Sequence, residues 1–331
     1  MKPQERYAPI QRALLDWFAQ NAQDLPWRRT KDPYAVWVSE IMLQQTRVAA
    51  VVPYYQRFLD RFPGVASLAD APEDALLALW SGLGYYSRAR NMRKAAGQIV
   101  ELGGFPAGYD AIRRLPGVGD YTAAAVASIA FGLPHAVLDG NVLRVLSRVS
   151  ADSGDIRSSI TKDRLRGLAG RLLDRKRPGA FNQAMMELGA TLCLPRAPKC
   201  PDCPISRFCE ALRLGKQDVL PAKSRPAAQV RETKTLLWIE RKGSLLLWKR
   251  TGQGRMRGFW ELPDATQLPG AAVLATIGKF RHSITRYDIT VTVVSARLRR
   301  VPGGFCWVPM DRADKFPLST MTRKALACSQ V

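Results

Sequence analysis

The stretch that decides the fold is Leu115-Pro116-Gly117-Val118-Gly119-Asp120, a glycine turn that opens a helix of small residues and leads to Asp139. The two glycines allow the backbone to bend with its amide groups exposed. The N-terminus of the following helix adds partial positive charge at the same place. We therefore predict that Gly117 and Gly119 hold a nucleic-acid phosphate without reading a base. A plain turn between two core helices is the alternative interpretation.

Composition supports a nucleic-acid partner. The chain has 331 residues, 47% of them hydrophobic, and a formal net charge of +22. This length predicts two domains rather than one small core. The positive charge is divided equally between residues 1–229 and 230–331. Because both parts are basic, we expect both to face one polyanion.

The sequence lacks membrane and export signals. No apolar run approaches the roughly 20 residues that a membrane-spanning helix needs, and Met1-Lys2-Pro3-Gln4-Glu5-Arg6 has no apolar core of a signal peptide. We expect a cytoplasmic protein without membrane contact. Disulfides are disfavoured in that compartment, so the six cysteines need another explanation.

Periodicity divides the chain into a helical part and an α+β part. Apolar residues recur at helical spacing through most of residues 1–215, and Thr46 is a candidate N-cap. Residues 217–229 are rich in Pro, Lys, Ala and Ser and predict an exposed linker. We predict a helical region over 1–216, that linker, and a second domain over 230–331.

Short apolar runs predict strands in the second domain. The runs at 235–239 and 244–248, separated by Arg241-Lys242-Gly243, are typical of a β-hairpin. Residues 289–294 predict a further strand.

Four cysteines form a cluster with the spacing C-x6-C-x2-C-x5-C: Cys193, Cys200, Cys203 and Cys209. Zinc sites usually pair two C-x2–4-C knuckles, and this pattern contains one. Four thiolates on one compact loop favour a 4Fe-4S cluster. Zinc and unliganded thiols remain the alternatives. Cys306 and Cys328 are isolated.

These motifs resemble the helix-hairpin-helix DNA glycosylase superfamily, in its endonuclease III branch. Trp27 and the runs 38–48, 82–88 and 138–142 are more specifically similar to the MutY-type adenine DNA glycosylases, which excise adenine mispaired with 8-oxoguanine. The resemblance implies a multidomain protein, with an all-α helix-hairpin-helix glycosylase that carries an iron–sulfur cluster loop, followed by an α+β Nudix-like domain. It also implies a monomer that binds double-stranded DNA containing adenine mispairs and associates with the nucleoid when bound.

One position separates the branches of this superfamily. Bifunctional members carry a lysine two residues after the last glycine of the hairpin, where this chain has Tyr121. A phenol cannot form an imine, so we predict hydrolysis without strand cleavage. The alternatives are a bifunctional oxidised-pyrimidine glycosylase/lyase and a non-enzymatic DNA-binding protein.

Two carboxyl groups are the candidate catalysts. Glycosidic cleavage needs a proton for the leaving base and a negative charge for the sugar cation. Glu40 has apolar sequence neighbours that favour its protonated form, so we assign it the role of general acid. Asp139 precedes a helix, whose free amides favour the ionised form, and we expect it to stabilise or capture the sugar cation. Asn141 and Tyr121 are expected to orient this cluster. A solvated Glu40, an Asp139 that is only an N-cap, and structural roles for Tyr121 and Asn141 are the alternatives.

The resemblance implies further DNA contacts. A duplex adenine is reachable only when it is flipped out of the stack, and Gln45 and Tyr85 match the positions that fill the gap. Arg28 and Gln183 match positions that contact the flipped base. The competing interpretations are core packing for Tyr85, surface charge for Arg28 and helix capping for Gln183. We also expect a phosphate-facing stripe at the basic positions Arg88, Arg90, Arg93 and Lys94.

The C-terminal part resembles a Nudix domain that lacks the residues for nucleotide hydrolysis. Residues 258–263 resemble the start of such a domain, but the glutamate-rich metal box is missing from residues 264–272. We therefore expect this domain to bind 8-oxoguanine rather than to hydrolyse a nucleotide. The family does so through a Phe-Ser-His turn, where this chain has Ile284-Thr285-Arg286. Thr285 keeps a hydroxyl group, with His282 and Ser283 as further candidates.

Overall fold

The structure is a computed structural model that describes residues 7–224, 228–251, 256–284 and 286–328. The chain forms two compact units, Met1–Ala66 with Ala95–Arg225, and Ser67–Lys94 with Pro226–Val331. The domain boundaries drawn from the sequence stay a prediction. No helix in the part of the chain that the structure describes is long and apolar enough to cross a membrane.

The first two-thirds of the described chain is almost wholly helical, as predicted. The helices in chain order are α1 (Ala8–Asn21), α2 (Pro33–Leu43), α3 (Val48–Arg61), α4 (Val65–Ala69), α5 (Glu73–Trp80), α6 (Ser87–Glu101), α7 (Tyr109–Arg113), α8 (Asp120–Ile129), α9 (Gly140–Val149), α10 (Ser159–Leu172), α11 (Pro178–Thr191) and α12 (Glu210–Arg213). Short 3₁₀ turns lie at Pro26–Arg28, Cys200–Asp202 and Ser206–Phe208. The glycine hairpin at residues 115–119 joins α7 to α8.

Helix α2 is buried on every side. Asp32 caps its N-terminus by accepting hydrogen bonds from the backbone N–H groups of Tyr34 and Ala35, and Pro33 begins the helix. Every residue from Tyr34 to Met42 is buried. A helix that is apolar all round belongs in a core, so its single carboxyl group, that of Glu40, is carried into the interior.

Helix α3 begins at Val48, one residue later than a cap at Thr46 would require. Arg47 occupies the N-cap position and makes no side-chain capping bond, so the prediction of Thr46 as the cap is wrong. The hydroxyl of Thr46 instead donates to the backbone carbonyl of Gln44, within the turn that ends α2.

Helix α11 packs closely against two neighbours through glycines. A Cβ atom added at Gly179 would lie 2.6 Å from the backbone oxygen of Ser128 in α8. One added at Gly189 would lie 2.7 Å from the Cβ of Asn141 in α9. The same core contains Leu14, Val145, Leu165 and Leu188, from helices α1, α9, α10 and α11. This packing fixes α8, α9 and α11 around one region.

The second unit contains two sheets and one further helix. Its elements are β1 (Val230–Trp238), β2 (Glu240–Arg241), β3 (Ser244–Lys249), β4 (Trp260–Glu261), β5 (Ala272–Ile284), β6 (Tyr287–Arg297), β7 (Phe305–Pro309), a 3₁₀ segment at Met310–Lys315, and α13 (Thr320–Cys328). One sheet has the order β1-β6-β5, with β1 parallel and β5 antiparallel to β6. In the other, β3 pairs with β2, β4 and β7. The expected strand at 289–294 is confirmed as part of β6.

The predicted hairpin is wrong in the partner of its first strand. Only β2 pairs with the start of β3 as a hairpin would. The run that begins at Thr235 belongs to β1, and Thr235 lies opposite Thr292 of β6. Leu236 enters one hydrophobic cluster and Leu237 another, so β1 is buried on both faces. The position of β1 is therefore determined by its pairing with β6 and by packing on both faces, and not by the turn that follows it.

We predict that Gly179→Ala destabilises the protein by about 2 kcal/mol, because its new methyl group meets backbone atoms that cannot move freely. The matched control is Gly97→Ala in α6, where nothing lies within 4 Å of the added Cβ. That change should stabilise by up to about 1 kcal/mol. Chemical denaturation of both variants measures the difference, and equal stability would contradict the close approach of α11 to α8.

Candidate functional site

Glu40 is a buried acid in the middle of α2, with an exposed fraction of 4%. Burial raises the pKa of its carboxyl group to about 7. The hydrogen bond from Tyr121 and the charge of Arg28 lower this pKa, and the negative charge of Asp139 raises it. The expected burial and the raised pKa are both observed, so Glu40 is not a solvated helix residue. At a pH near 7, the Glu40 carboxyl group is therefore protonated in about half of the molecules.

Tyr121 lies in the first turn of α8 and contacts Glu40 directly. Its hydroxyl donates to Oε2 of Glu40 at 2.5 Å and lies 3.2 Å from Sδ of Met186. Burial, followed by the negative charges of Glu40 and Asp139, raises the pKa of Tyr121 well above its usual value. The phenol therefore stays protonated and acts as a fixed hydrogen-bond donor. It leaves Oε1 of Glu40 as the oxygen without a bond to this phenol.

Asp139 caps the N-terminus of α9 and lies within electrostatic range of Glu40. Its Oδ1 accepts a 2.7 Å hydrogen bond from the backbone N–H of Val142, and its Oδ2 accepts a 3.2 Å bond from Nδ2 of Asn141. These bonds lower the pKa of Asp139, as the helix start predicts, but burial outweighs them and the net shift is upward. The free amides thus favour the ionised form as expected, and burial adds an opposing effect that the helix start alone does not predict.

The two acids still differ in their partners. Asp139 accepts hydrogen bonds at both oxygens and is near the positive charge of Arg144. Glu40 is near the positive charge of Arg28 and accepts a hydrogen bond at one oxygen, from Tyr121. Because donors stabilise the charged form, a single proton shared by the pair resides on Glu40.

Asn141 connects Asp139 to the rest of α9. Its Oδ1 accepts a 2.8 Å hydrogen bond from Nη2 of Arg144. Arg144 is buried, and its guanidinium also donates to the backbone carbonyls of Gly189 at 2.7 Å and Cys193 at 2.8 Å. Asp139 is thus held in a chain of hydrogen bonds that reaches the end of α11 and the first clustered cysteine.

The partner of Arg28 was not predicted from the sequence. Nη2 of Arg28 donates to Oε2 of Glu187 at 2.7 Å, and the Glu187 side chain is 4% exposed. Oε1 of Glu187 accepts the backbone N–H of Gln23. The Arg28 side chain is only 15% exposed, which excludes the surface-charge interpretation. One signal was available: Glu187 is a lone carboxylate among the apolar residues of α11.

Asn182 is a second missed residue. It is buried in α11 and donates to the hydroxyl of Ser128 and to the backbone carbonyl of His135, both at 2.8 Å. Its Oδ1 accepts the backbone N–H of Val137 at 3.2 Å. These bonds fix the segment that leads into Asp139. Gln183, the next residue, lies in the interior of α11 and is half-buried, so it does not cap this helix.

Gln45 and Tyr85, the two predicted gap-filling residues, share an unusual backbone. Gln45 has φ of 57° and Tyr85 has φ of 48°, in the left-handed region that favours glycine. Such strain concentrates at binding and catalytic sites. Tyr85 is 49% exposed, whereas its neighbour Tyr86 is buried. Core packing is thus the role of Tyr86 and not of Tyr85.

Arg88 does not belong to a phosphate-facing stripe, so that expectation is wrong for this residue, whereas for Arg90, Arg93 and Lys94 it stays a prediction. Arg88 is 9% exposed, and its Nη2 donates to the backbone carbonyls of Leu83 and Gly84 at 3.1 and 3.2 Å. Burial lowers the pKa of Arg88 to about 10. Arg90 and Arg93 both pair with Glu73. Of these three arginines, Arg88 supports the loop at 82–85 from within.

The hairpin between α7 and α8 uses its two glycines differently. Gly117 has φ of 77° and requires glycine, whereas Gly119 is extended and forms the N-cap of α8. Asp120, the first residue of α8, pairs with Arg113 and lies 3.8 Å from Arg166. The turn therefore stands beside two cationic side chains at a helix N-terminus.

The four clustered cysteines lie within electrostatic range of one another. Burial raises the pKa of Cys203 to about 11, and the charges of Cys193, Cys209 and Cys200 add to this effect. All four are half-buried thiols. Across the described ranges, no group of three or more His, Cys, Asp or Glu side chains is arranged to hold a metal ion.

A buried arginine, Arg148, contacts the cysteine loop. Nη1 of Arg148 lies 3.2 Å from Sγ of Cys193 and donates to the backbone carbonyl of Leu194, and Nε donates to that of Leu220. Nη2 of Arg148 is buried without a hydrogen-bond partner in the described chain. This donor set, four thiols and a buried guanidinium with one free N–H₂ group, fits an anionic metal–sulfur group.

The second unit contains a pocket of about 940 Å³. It is lined by the segment 82–87 and by side chains that include Lys234, Trp248, Glu261, His282 and Ser283. Burial and the charge of Lys324 lower the pKa of His282, which is therefore neutral at pH 7. Thr285 lies outside the described residues, whereas its neighbour Ile284 lines this pocket.

Comparison with known families gives matches in both parts of the chain. Residues 38–170 match the HhH-GPD superfamily of base excision DNA repair proteins, and residues 235–328 match the NUDIX domain. The fold of a thermostable thymine-DNA glycosylase covers 64% of this chain and 98% of its own, with a TM-score of 0.58 and 29% identity. An endonuclease III bound to DNA shares the fold over 65% of this chain and 99% of its own, with a TM-score of 0.54 and 21% identity.

Curated relatives extend over both matches. The adenine DNA glycosylase of Homo sapiens is 34% identical over 96% of this chain and 73% of its own length. That of Mus musculus is 35% identical over 94% and 76%, and that of Buchnera aphidicola from Baizongia pistaciae is 37% identical over 72% and 70%. With this identity over nearly its full length, the chain belongs to the adenine DNA glycosylase family.

Proposed function

We propose that this base excision repair enzyme hydrolyses the N-glycosidic bond of adenine placed opposite 8-oxoguanine or guanine in duplex DNA. The observation that carries the proposal is the 2.5 Å hydrogen bond from Tyr121 to the buried Glu40 carboxyl group, within electrostatic range of Asp139. Two carboxyl groups with different partners suit the two halves of glycosidic cleavage.

Glu40 is the general acid. Its pKa of about 7 keeps a large fraction protonated at neutral pH, which is near the optimum for proton transfer. The proton passes to a ring nitrogen of adenine. The bond between C1′ and the base then breaks, and its electron pair leaves with the base. Tyr121 holds Oε2, so the proton is presented from the other oxygen.

Asp139 stabilises the sugar that remains. Loss of the base leaves positive charge on the sugar, and the carboxylate of Asp139 is held by Val142 and Asn141 to face such a charge. Water then attacks C1′, and its proton passes to the Glu40 carboxylate. This step regenerates the acid and yields an abasic site and free adenine.

Strand cleavage is not part of the proposal. Lyase chemistry requires an amine nucleophile, and Tyr121 occupies the position of the bifunctional lysine. Tyr121, Asp139 and Arg28 are the groups that shift the pKa of Glu40, and none is an amine that forms an imine. A monofunctional hydrolase is therefore favoured over the glycosylase/lyase.

The remaining site residues serve DNA binding. Arg28, oriented by Glu187, and Gln183 on α11 are proposed to contact the flipped adenine. Gln45 and Tyr85 are proposed to fill the gap that the base leaves, which their strained backbones support. The hairpin at 117–119 is proposed to hold a phosphate. We expect a monomer, cytoplasmic and nucleoid-associated when bound to DNA.

Recognition of the opposite base is assigned to the pocket of the second unit. A volume of about 940 Å³ accommodates a nucleoside, and Tyr85, His282 and Ser283 line the same cavity. These residues, together with Thr285, support a preference for 8-oxoguanine without the Phe-Ser-His turn of the family.

The cysteine loop is proposed to hold a 4Fe-4S cluster through Cys193, Cys200, Cys203 and Cys209. Zinc sites usually pair two C-x2–4-C knuckles, whereas this spacing contains one, which favours the cluster over a single zinc ion. When bound, a cluster supplies a covalent cross-link of this loop. Arg148, which contacts Cys193, would supply a positive charge and a free N–H₂ group beside such an anionic cluster.

We predict that Glu40→Gln lowers the single-turnover rate of adenine excision by about 10²–10⁴-fold, because it removes the general acid. Binding to the adenine:8-oxoguanine duplex should be retained. The assay is base loss scored before and after hot alkali, with the exposed Glu101→Gln as control. Retained excision would contradict the role of Glu40, and strand breaks before alkali would contradict hydrolysis alone.

Equal wild-type rates opposite 8-oxoguanine and guanine would refute the lesion preference.

Tyr121→Phe should move the pH dependence of excision. The active form has Glu40 protonated, so the wild-type rate falls as pH rises through about 7. The hydrogen bond from Tyr121 lowers this pKa. Its removal raises the pKa and shifts the alkaline limb to higher pH. Tyr54→Phe removes a phenol that is not among the groups that shift the pKa of Glu40, and it should leave the limb unchanged. A limb that stays in place in Tyr121→Phe would exclude this coupling.

Elemental analysis tests the cluster. The purified protein should contain four iron atoms and four acid-labile sulfides per chain. Arg148→Met should accelerate loss of iron under air relative to Arg171→Met, which removes a cation from α10. One zinc per chain, without iron, would overturn the assignment.

A further inference from the structure

The loop that carries Tyr85 has positive φ at three positions, two of them glycines, so the backbone strain lies at Tyr85. Gly82 has φ of 109°, Gly84 has φ of 69° and Tyr85 has φ of 48°. A bulky residue keeps such a conformation only when its surroundings over-determine it. Within the loop, Nε1 of Trp80 donates to the backbone carbonyl of Gly84 at 3.1 Å, and Arg88 donates to the same carbonyl.

The start of the loop is held by the C-terminal third of the chain. Ser81 is 5% exposed, and its hydroxyl donates to the backbone carbonyl of Leu318 at 2.9 Å. The same hydroxyl accepts a 2.8 Å hydrogen bond from Nε of Arg323 in α13. Both capacities of Ser81 are therefore used by residues more than 230 positions away in the sequence.

The end of the loop is held by the same third. The ring of the buried Tyr86 lies 3.9 Å from that of Phe259 between centroids, at an angle of 40°. The hydroxyl of Tyr86 lies 3.4 Å from Oγ1 of Thr320, at the start of α13. Tyr85 is thus flanked on both sides by residues anchored to the segment from 318 to 323 and to Phe259.

We propose that Arg323 is a positioning residue for adenine excision. Through Ser81 it fixes the start of the loop, while Phe259 and Thr320 fix its end, and together they hold Tyr85 in the left-handed conformation needed to enter the base stack. The C-terminal third then acts twice, once in reading the opposite base and once in holding Tyr85. This inference rests on the proposed function, because it requires Tyr85 to fill the gap left by a flipped adenine.

The two contributions predict different patterns of loss. Reading of the opposite base affects the ratio of rates on adenine:8-oxoguanine and adenine:guanine duplexes. Positioning of Tyr85 affects base flipping, which both duplexes require. Loss of Arg323 therefore lowers both rates by the same factor and leaves their ratio unchanged.

The test uses the full chain with Arg323→Ala, Arg323→Lys and the control Arg312→Ala, which removes an exposed arginine of the same region. Single-turnover excision at saturating enzyme is measured on both duplexes, and 2-aminopurine beside the target adenine reports unstacking by fluorescence. Arg323→Ala should lower both rates and the fluorescence rise about tenfold. Arg323→Lys should restore part of each, because an ammonium group also donates to Ser81.

Two outcomes overturn the inference: wild-type rates and fluorescence in Arg323→Ala, or a loss confined to the 8-oxoguanine duplex. Ser81→Ala separates positioning from misfolding, since combining it with Arg323→Ala should add little further loss if the two act through one hydrogen bond. Additive losses would also reject the inference. Failure of the proposed function is distinguishable, because the wild-type protein would then release no adenine from either duplex.

Discussion

The burial of one carboxyl group, that of Glu40, is the constraint on which the site depends. An acid in a helix that is buried on every side loses the hydration that favours its charge, and its pKa rises to about 7. Two neighbouring groups limit that rise without cancelling it, while the negative charge of Asp139 adds to it. Tyr121 supplies one hydrogen bond, and Arg28 supplies a positive charge that Glu187 holds in place.

Packing of three helices brings the second acid to the first. The glycines of α11 allow close approach to α8, which carries Tyr121, and to α9, which Asp139 caps. Hydrogen bonds from Asn182 fix the segment before Asp139, and those of Asn141 and Arg144 extend from Asp139 to Cys193. The site and the cysteine loop therefore share α9 as a common support.

The sequence correctly predicted the features that depend on neighbouring residues in the chain. The apolar neighbours of Glu40 predicted its burial, and the glycine hairpin predicted the turn between α7 and α8. Asp139 was correctly placed at a helix start. The net pKa shift of Asp139 was missed, because burial depends on residues distant in sequence and outweighs the helix N-terminus. Arg88 was misjudged for the same reason: its charge suggested a surface, but the 82–85 loop folds over it.

Long-range partners were the general limit. Glu187 and Arg28 are 159 positions apart, and Ser81 and Arg323 are 242 apart, so no periodicity links them. The partner of β1 was likewise hidden, because its residues suit a hairpin strand as well as a strand buried between two clusters. Motifs identified the candidate chemistry, whereas tertiary packing decided that Arg88 supports the loop and does not face the surface.

The most direct test of the central claim is the titration of Glu40 itself. Carbon-13 NMR of glutamate carboxyl groups, with the Glu40 signal assigned by its absence in Glu40→Gln, follows the ionisation of this one residue in the free protein. A midpoint of about 7 is the result that burial predicts. A midpoint at the ordinary value of 4.5 would contradict the account, because Glu40 would then hold no proton to donate at neutral pH.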